Sequence, residues 1–447
     1  MHSRILSAAT EGVDAYTVEV ETDIQQQLPG FSTVGLPDGA VRESKERVTA
    51  AIKNSDFVFP SKRITVNLAP ANIRKEGAAF DLPIAVGILA ATGQILRDSF
   101  EDYALLGELS LDGQIRPIPG ALPMALHFPN VTSSNGSGAN GAGANSYGDG
   151  AKKSPGKAGI KGLLVPKENA REAAMAQNAP IYPVSTLREV VSFLEDTTSI
   201  KPFEIDIQEV FSKRREYAVD FSEVKGQQGA KRALEVAACG GHNIILIGPP
   251  GSGKTMLARR LPTILPDMSL AEAIETTKIH SVAGLLPDEM ALIATRPFRA
   301  PHHTISNAGL IGGGSIPKPG DVSLAHNGVL FLDEVGEFRR DVLEVLRQPM
   351  EDGTVTLSRA LTTLTYPCRL MLVAAMNPCP CGFFGDTNNS CNCTSGQIQK
   401  YMSRISGPLM DRIDIHINVP AVKFNELSSN EKAENSENIR QRVNLSR

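Results

Sequence analysis

Gly248-Pro249-Pro250-Gly251-Ser252-Gly253-Lys254-Thr255 carries the strongest local signal in this 447-residue chain. The octapeptide matches G-x-x-x-x-G-K-[ST], and its flanks supply the required setting. The apolar run Asn243-Ile244-Ile245-Leu246-Ile247 reads as a strand leading in, and Thr255-Met256-Leu257-Ala258-Arg259-Arg260-Leu261 opens a helix leading out. Glycines at such a corner let backbone N–H groups turn inward around an anion, and the helix N-terminus adds its positive dipole end. In that geometry Lys254 reaches the β- and γ-phosphates of a nucleoside triphosphate, while the Thr255 hydroxyl ligates Mg²⁺.

Downstream, Gly328-Val329-Leu330-Phe331-Leu332-Asp333-Glu334 reads as a buried strand ending in two adjacent carboxylates. Asp333 is placed to hold the Mg²⁺ shell, and Glu334 to orient and deprotonate an attacking water. A third apolar strand, residues 370–376, delivers Asn377, whose amide can position the same water; an Asn before Pro is otherwise a common turn residue. Pro408-Leu409-Met410-Asp411-Arg412-Ile413-Asp414 follows. Arg412 is the candidate arginine finger, acting on a γ-phosphate held by a neighbouring subunit. Arg404 is the alternative, and an ion pair of Arg412 with Asp411 or Asp414 is the plain structural reading.

Strands alternate with helices from about residue 220 to 420, the pattern of an α/β domain with a parallel sheet. Residues 1–200 form a different block. Residues 16–21 and 63–68 alternate with period two and read as strands; 38–54 reads as a helix capped by Asp38, and 81–92 as a buried helix capped by Asp81. Without strict βαβ order, this block reads as α+β. A run rich in Gly, Ser, Asn and Ala at 133–159 reads as a disordered insertion, 201–216 as a charged linker, and 421–447 as a polar tail.

Composition is ordinary for a globular protein, with 41% hydrophobic and 21% charged residues. A formal net charge of -4 gives no global field attracting nucleic acid, so any such contact must come from a local basic surface. The longest apolar stretch, 82–96, is interrupted and too short to span a bilayer, and no signal-peptide core follows Met1. A cytoplasmic protein is the expectation. Four of the six cysteines, Cys379, Cys381, Cys391 and Cys393, cluster as two C-x-C pairs. They suit either a tetrahedral Zn²⁺ site or a group of reduced, uncoordinated thiols. His302 and His303 suit metal or DNA contacts, with structural hydrogen bonding as the default.

With these motifs in place, the chain resembles the ComM (YifB) family of magnesium-chelatase-like AAA+ ATPases over nearly its whole length. The resemblance is carried by residues 296–304 (RPFRAPHHT), 320–328 (GDVSLAHNG), 377–382 (NPCPCG) and 404–409 (RISGPL). It implies an AAA+ domain at 217–420, with Asn377 as sensor 1, preceded by a Lon-protease-like, ribosomal S5 domain 2-like domain. By alignment with such proteases, Ala79 and Leu122 stand where the serine and lysine of a catalytic dyad belong, so proteolysis is not expected. A complete helical lid is not found in 421–447; Asn438 to Arg447 reads as its first helix.

The family likeness further implies a hexameric ring that hydrolyses ATP to translocate DNA or drive branch migration, with insertions facing a pore. Two segments fit those insertions: 285–315, with Arg296 and Arg299, and 353–362, a hairpin with Arg359 near its tip. All three arginines are candidates for gripping DNA phosphates without reading sequence, or for pairing with acids at subunit seams. Two rival functions remain: a chelatase-type ATPase subunit that remodels a partner protein, and an ATP-binding scaffold with little turnover.

Overall fold

Met371–Met376 contributes six consecutive buried residues and Val329–Leu332 four, the pattern of strands covered on both faces. The computed structural model describes residues 1–128, 159–213, 217–287, 290–314, 317–358, 363–386, 389–422 and 433–447. The insertion foreseen at 133–159 and the Arg359 tip lie almost wholly or wholly outside them. Two units form: 1–207 with 281–291, and 208–280 with 292–447. The segment 281–291, read in the sequence as part of the ATPase domain, thus belongs with the first unit. There the Ser281 carbonyl accepts from Gly120 N (3.1 Å), and its hydroxyl donates to the buried Glu172 carboxylate.

In the first unit, β1 (His2–Glu11), β2 (Asp14–Gln25), β3 (Gly30–Val34), β4 (Arg63–Ala69), β5 (Tyr103–Leu105), β6 (Gly162–Pro166) and β7 (Ile181–Val184) form one sheet, ordered β3-β4-β2-β1-β5-β6-β7. The pairs β1–β2 and β2–β4, which contain the two alternating segments read as strands, are antiparallel. The run β1-β5-β6-β7 is parallel, so one half of this mixed sheet is built by crossovers. Helix α1 (Gly39–Asn54) is capped as expected, Asp38 Oδ1 accepting from Val41 N at 2.8 Å. Helix α2 (Asp81–Ala91) is buried along nearly its whole length, but Asp81 does not cap it. Its carboxylate is fully buried and accepts two bonds from Arg47, at 2.6 and 3.0 Å; a buried carboxylate needs a cationic partner, and Arg47 of α1 supplies it.

In the second unit, α3 (Gln228–Gly240) precedes β8 (Ile244–Ile247), and α4 (Lys254–Ile264) follows it. β9 (Phe298–Arg299), β10 (Val329–Leu332), β11 (Met371–Met376) and β12 (Ile415–Asn418) complete a five-stranded sheet ordered β9-β10-β11-β8-β12. Every pairing in it is parallel, so the C-terminal strand ends, where ligands gather in α/β sheets, all lie along one edge. The foreseen hairpin is present as Thr354–Ser358 against Thr363–Pro367. The tail is more than a polar extension. Helix α6 (Ser436–Ser446, numbered after α5, Ser395–Met402) buries Ile439 and Val443 in the core of this unit. Ser436 accepts from Phe221 N at 2.9 Å, and Arg442 donates to Glu235 at 2.7 Å.

Candidate nucleotide site

The loop Gly248–Thr255 turns between the end of β8 and the start of α4. Gly251 and Gly253 adopt left-handed φ values of +76° and +89°, and the space a Cβ would take at either is open, as a cradle for an anion requires. At Gly248 a Cβ would fall 2.0 Å from the Val419 carbonyl, so only glycine fits there. Pro249, Pro250 and Ser252 complete the turn. Ser252 Oγ is buried without a partner, a donor free for a phosphate oxygen.

Lys254 is largely shielded, and its Nζ donates to the carbonyls of Gly248 (2.7 Å) and Pro249 (2.9 Å) and reaches Asn377 Oδ1 at 3.3 Å. Burial pulls its pKa down; Asp333 and Glu334 act in the opposite sense. The Thr255 hydroxyl donates to Asp333 Oδ2 at 2.6 Å. A hydroxyl and a carboxylate oxygen so close form a hard-donor pair suited to Mg²⁺. Glu334 follows at the strand end, exposed and in a left-handed conformation (φ 50°), which is strained for a residue with a side chain. The structure therefore gathers Lys254, Thr255, Asp333 and Asn377 at one strand edge.

Two residues that sequence reasoning passed over also belong here. Gln227 Nε2 donates to the carbonyls of Ser252 (3.0 Å) and Pro420 (2.6 Å), tying the phosphate loop to the chain beyond β12. The Tyr401 side chain is buried with its hydroxyl beside Gly336; burial, then Glu337 and Glu334, push its pKa up. Neither belongs to a contiguous motif. The only signal was Gln227 standing just before a helix.

Arg412 stands at the start of β12, its carbonyl accepting from Asn243 Nδ2 at 3.0 Å. Ile244 pairs in parallel with Ile415, so this is the sheet edge opposite the phosphate loop, about 13 Å of strand away. Its guanidinium pairs with Glu351, rather than with Asp411 or Asp414, and donates to Pro408 O at 2.6 Å; Nε is buried without a partner. Arg404 instead donates to Gly336 O (2.9 Å) and Glu337 (2.6 Å), just beyond the paired acids.

The nucleic-acid candidates fare differently. Arg296 is turned inward: it donates to the carbonyls of Pro266 (2.5 Å) and Asn327 (2.8 Å) and lies 3.6 Å from Glu272, with 9% of its side chain exposed. Because it serves as an internal brace, its expected role in gripping DNA is corrected. Arg299 is bound to Asp321 at 2.5 Å and stays partly exposed. His302 bonds Thr304 at 2.9 Å, and the His302 and His303 rings lie 4.0 Å apart.

The four clustered cysteines converge after Asn377, with Sγ–Sγ separations of 3.3 Å (Cys379–Cys381), 3.5 Å (Cys381–Cys391) and 3.7 Å (Cys379–Cys391). The Phe383 N–H, then the Cys379 thiol, hold Cys381 down to about 6. Against the pull of the Cys393 N–H, burial and the neighbouring sulfurs push Cys391 up to about 12.

The family model described as magnesium chelatase, subunit ChlI, matches residues 220–427, and a second, subunit ChlI of Mg-chelatase, matches 20–135. The competence protein ComM of Haemophilus influenzae is 42% identical over 443 residues, covering 98% of this chain and 81% of that protein. The chain belongs to the ComM/YifB family of magnesium-chelatase-like proteins. YifB of Salmonella typhimurium is 41% identical over 437 residues, 97% of this chain and 79% of its own length. A shorter likeness, 33% over 150 residues, joins 31% of the chain to 26% of Lon protease 2 of Bacillus subtilis.

Membership of this AAA+ family implies ATP and Mg²⁺. The site fits both: a glycine-lined cradle, an unpartnered buried hydroxyl, a shielded lysine and a paired hydroxyl and carboxylate stand within one loop and two strand ends. No described helix is long and apolar enough to cross a membrane.

Proposed function

We propose that this ComM/YifB-family chain is the subunit of an ATP-driven DNA motor, a hexameric ring that couples hydrolysis to DNA translocation and branch migration. The observation that carries the hydrolytic part is the convergence of Lys254, Thr255, Asp333 and Asn377, with Thr255 Oγ1 and Asp333 Oδ2 only 2.6 Å apart. Lys254 exchanges its two carbonyl partners for phosphate oxygens. Thr255 and Asp333 hold Mg²⁺, which neutralises charge on the phosphates when bound. Glu334 takes the proton of the attacking water, and Asn377 orients that water. Because Arg412 sits at the opposite sheet edge, it acts across a subunit seam, leaving Glu351 to reach a neighbour's γ-phosphate.

The DNA part rests on likeness to a protein named for competence. Arg299 and Arg359 remain its candidate phosphate contacts. The first unit is proposed as a Lon-like domain without proteolysis, given the partial likeness to a Lon protease. Matches to magnesium chelatase ChlI over both units favour a second reading, an ATPase that remodels a partner protein. Phosphate release measured with and without branched or single-stranded DNA separates the two, with Glu334→Gln as control. Stimulation by DNA that is lost in the variant supports the motor; robust hydrolysis indifferent to any DNA rejects it in favour of remodelling.

A further inference from the structure

Cys379, Cys381, Cys391 and Cys393 take no part in the steps above. We infer that their four thiolates hold one zinc ion, and that this ion locks a turn bracing the phosphate loop. The coupling rests on the nucleotide reading; the metal site does not.

All four sulfurs lie within 4.8 Å of one another, and three of their separations are 3.3–3.7 Å. Zinc bonded to four sulfurs at about 2.3 Å requires sulfur–sulfur edges of about 3.8 Å, so the edges among Cys379, Cys381 and Cys391 need only a slight expansion, and Cys393 already lies within 4.8 Å of the other three. The sulfurs stand too close together to frame a multi-iron cluster. Backbone N–H groups already point at two of them, Phe384 N at Cys379 (3.3 Å) and Cys393 N at Cys391 (3.4 Å). Such donors stabilise charge on ligating sulfur and hold ligands in orientation. One residue between the members of each pair does not prevent convergence: Cys379 and Cys381, flanking the turn residue Pro380, still bring their sulfurs to 3.3 Å.

The same turn reaches the nucleotide loop. Gly382 N donates to Cys379 O at 3.0 Å, and Gly382 has φ +86°. A Cβ there would fall 2.7 Å from Pro250 Cδ, so the backbone of the cysteine turn rests directly on the phosphate loop. Phe384, Gly385 and Asp386 continue as one wall of a cleft of about 360 Å³ that Gly248 and Pro249 line from the other side. Cys379 also follows Asn377 by two residues, so fixing its sulfur fixes the chain that aims that amide.

The test uses the whole chain. Zinc is counted by elemental analysis of purified protein, and affinity for a fluorescent ATP analogue is measured in excess Mg²⁺. Both are repeated after treatment with a zinc-selective chelator and after zinc is restored. The expected result is about one zinc per chain, with affinity falling on the order of tenfold on removal and recovering on return. Gly382→Ala should keep its zinc yet bind nucleotide more weakly, since the added carbon displaces Pro250. Protein lacking zinc, or holding it equally after Cys381→Ser with Cys391→Ser, overturns the metal site. Zinc whose removal leaves affinity unchanged overturns the coupling. Zinc-loaded protein with no nucleotide affinity would instead reject the function proposed above and leave the metal site standing.

Discussion

Replacing Arg296 with Ala separates an internal brace from a DNA-gripping side chain. Its guanidinium makes two short charge-assisted bonds, to Pro266 O at 2.5 Å and Asn327 O at 2.8 Å, with Glu272 beside it at 3.6 Å. Bonds to a charged group contribute about 1.5–3 kcal/mol each, and losing them leaves two carbonyls short of partners. The expected loss is about 3–5 kcal/mol in the stability of the second unit. For a unit of this size 1 kcal/mol moves Tm by about 2–4 °C, so its transition should fall by about 10 °C. Thermal unfolding followed by circular dichroism reads this shift. DNA affinity, measured by fluorescence anisotropy well below both transitions, should change little. An unchanged Tm together with much weaker DNA binding would refute the reasoning and return Arg296 to the DNA surface.

Gln227→Ala removes two bonds that tie Ser252 and Pro420 together, and should weaken nucleotide affinity about fivefold with little change in Tm; titration of a fluorescent nucleotide checks it. Tyr401→Phe removes a buried hydroxyl whose electrostatics couple to Glu337, Glu334 and the Asn377 backbone, so turnover should slow several-fold while nucleotide affinity holds, as steady-state kinetics and equilibrium binding would show together. Arg412→Ala should bind nucleotide normally but hydrolyse it at least about 10³-fold more slowly, and mixing it with Lys254→Ala subunits should restore part of the rate. Mixtures no more active than either variant alone would remove Arg412 from the seam.

The candidate nucleotide site was legible because its information is contiguous: a glycine-lined octapeptide between an apolar strand and a helix, then four buried residues ending in Asp333 and Glu334. The parallel sheet followed from the same runs, which stay apolar because both faces are covered. What escaped depends on partners distant in sequence. Arg296 shows only its charge to a sequence reader, and nothing marks Pro266 and Asn327 as the carbonyls that absorb it. Asp81 carries the signature of a helix cap, yet burial made an ion pair with Arg47, 34 residues earlier, the stronger demand. Helix Ser436–Ser446 has just Ile439 and Val443 to bury, too sparse a stripe to distinguish a docked helix from a tail. The parallel half of the first sheet is joined by a long connection between β5 and β6, which alternation within single strands does not reveal.

The account stands or falls on a triphosphate seated between the glycine-lined turn and the paired acids. Equilibrium binding of ATP with Mg²⁺ to the wild type and to Lys254→Ala, with phosphate release followed on the same preparations, tests this most directly. Wild-type protein should bind and turn over ATP, and the variant should lose both while keeping its thermal transition. Equal phosphate release by the two proteins, or no affinity for nucleotide in the wild type, would contradict it.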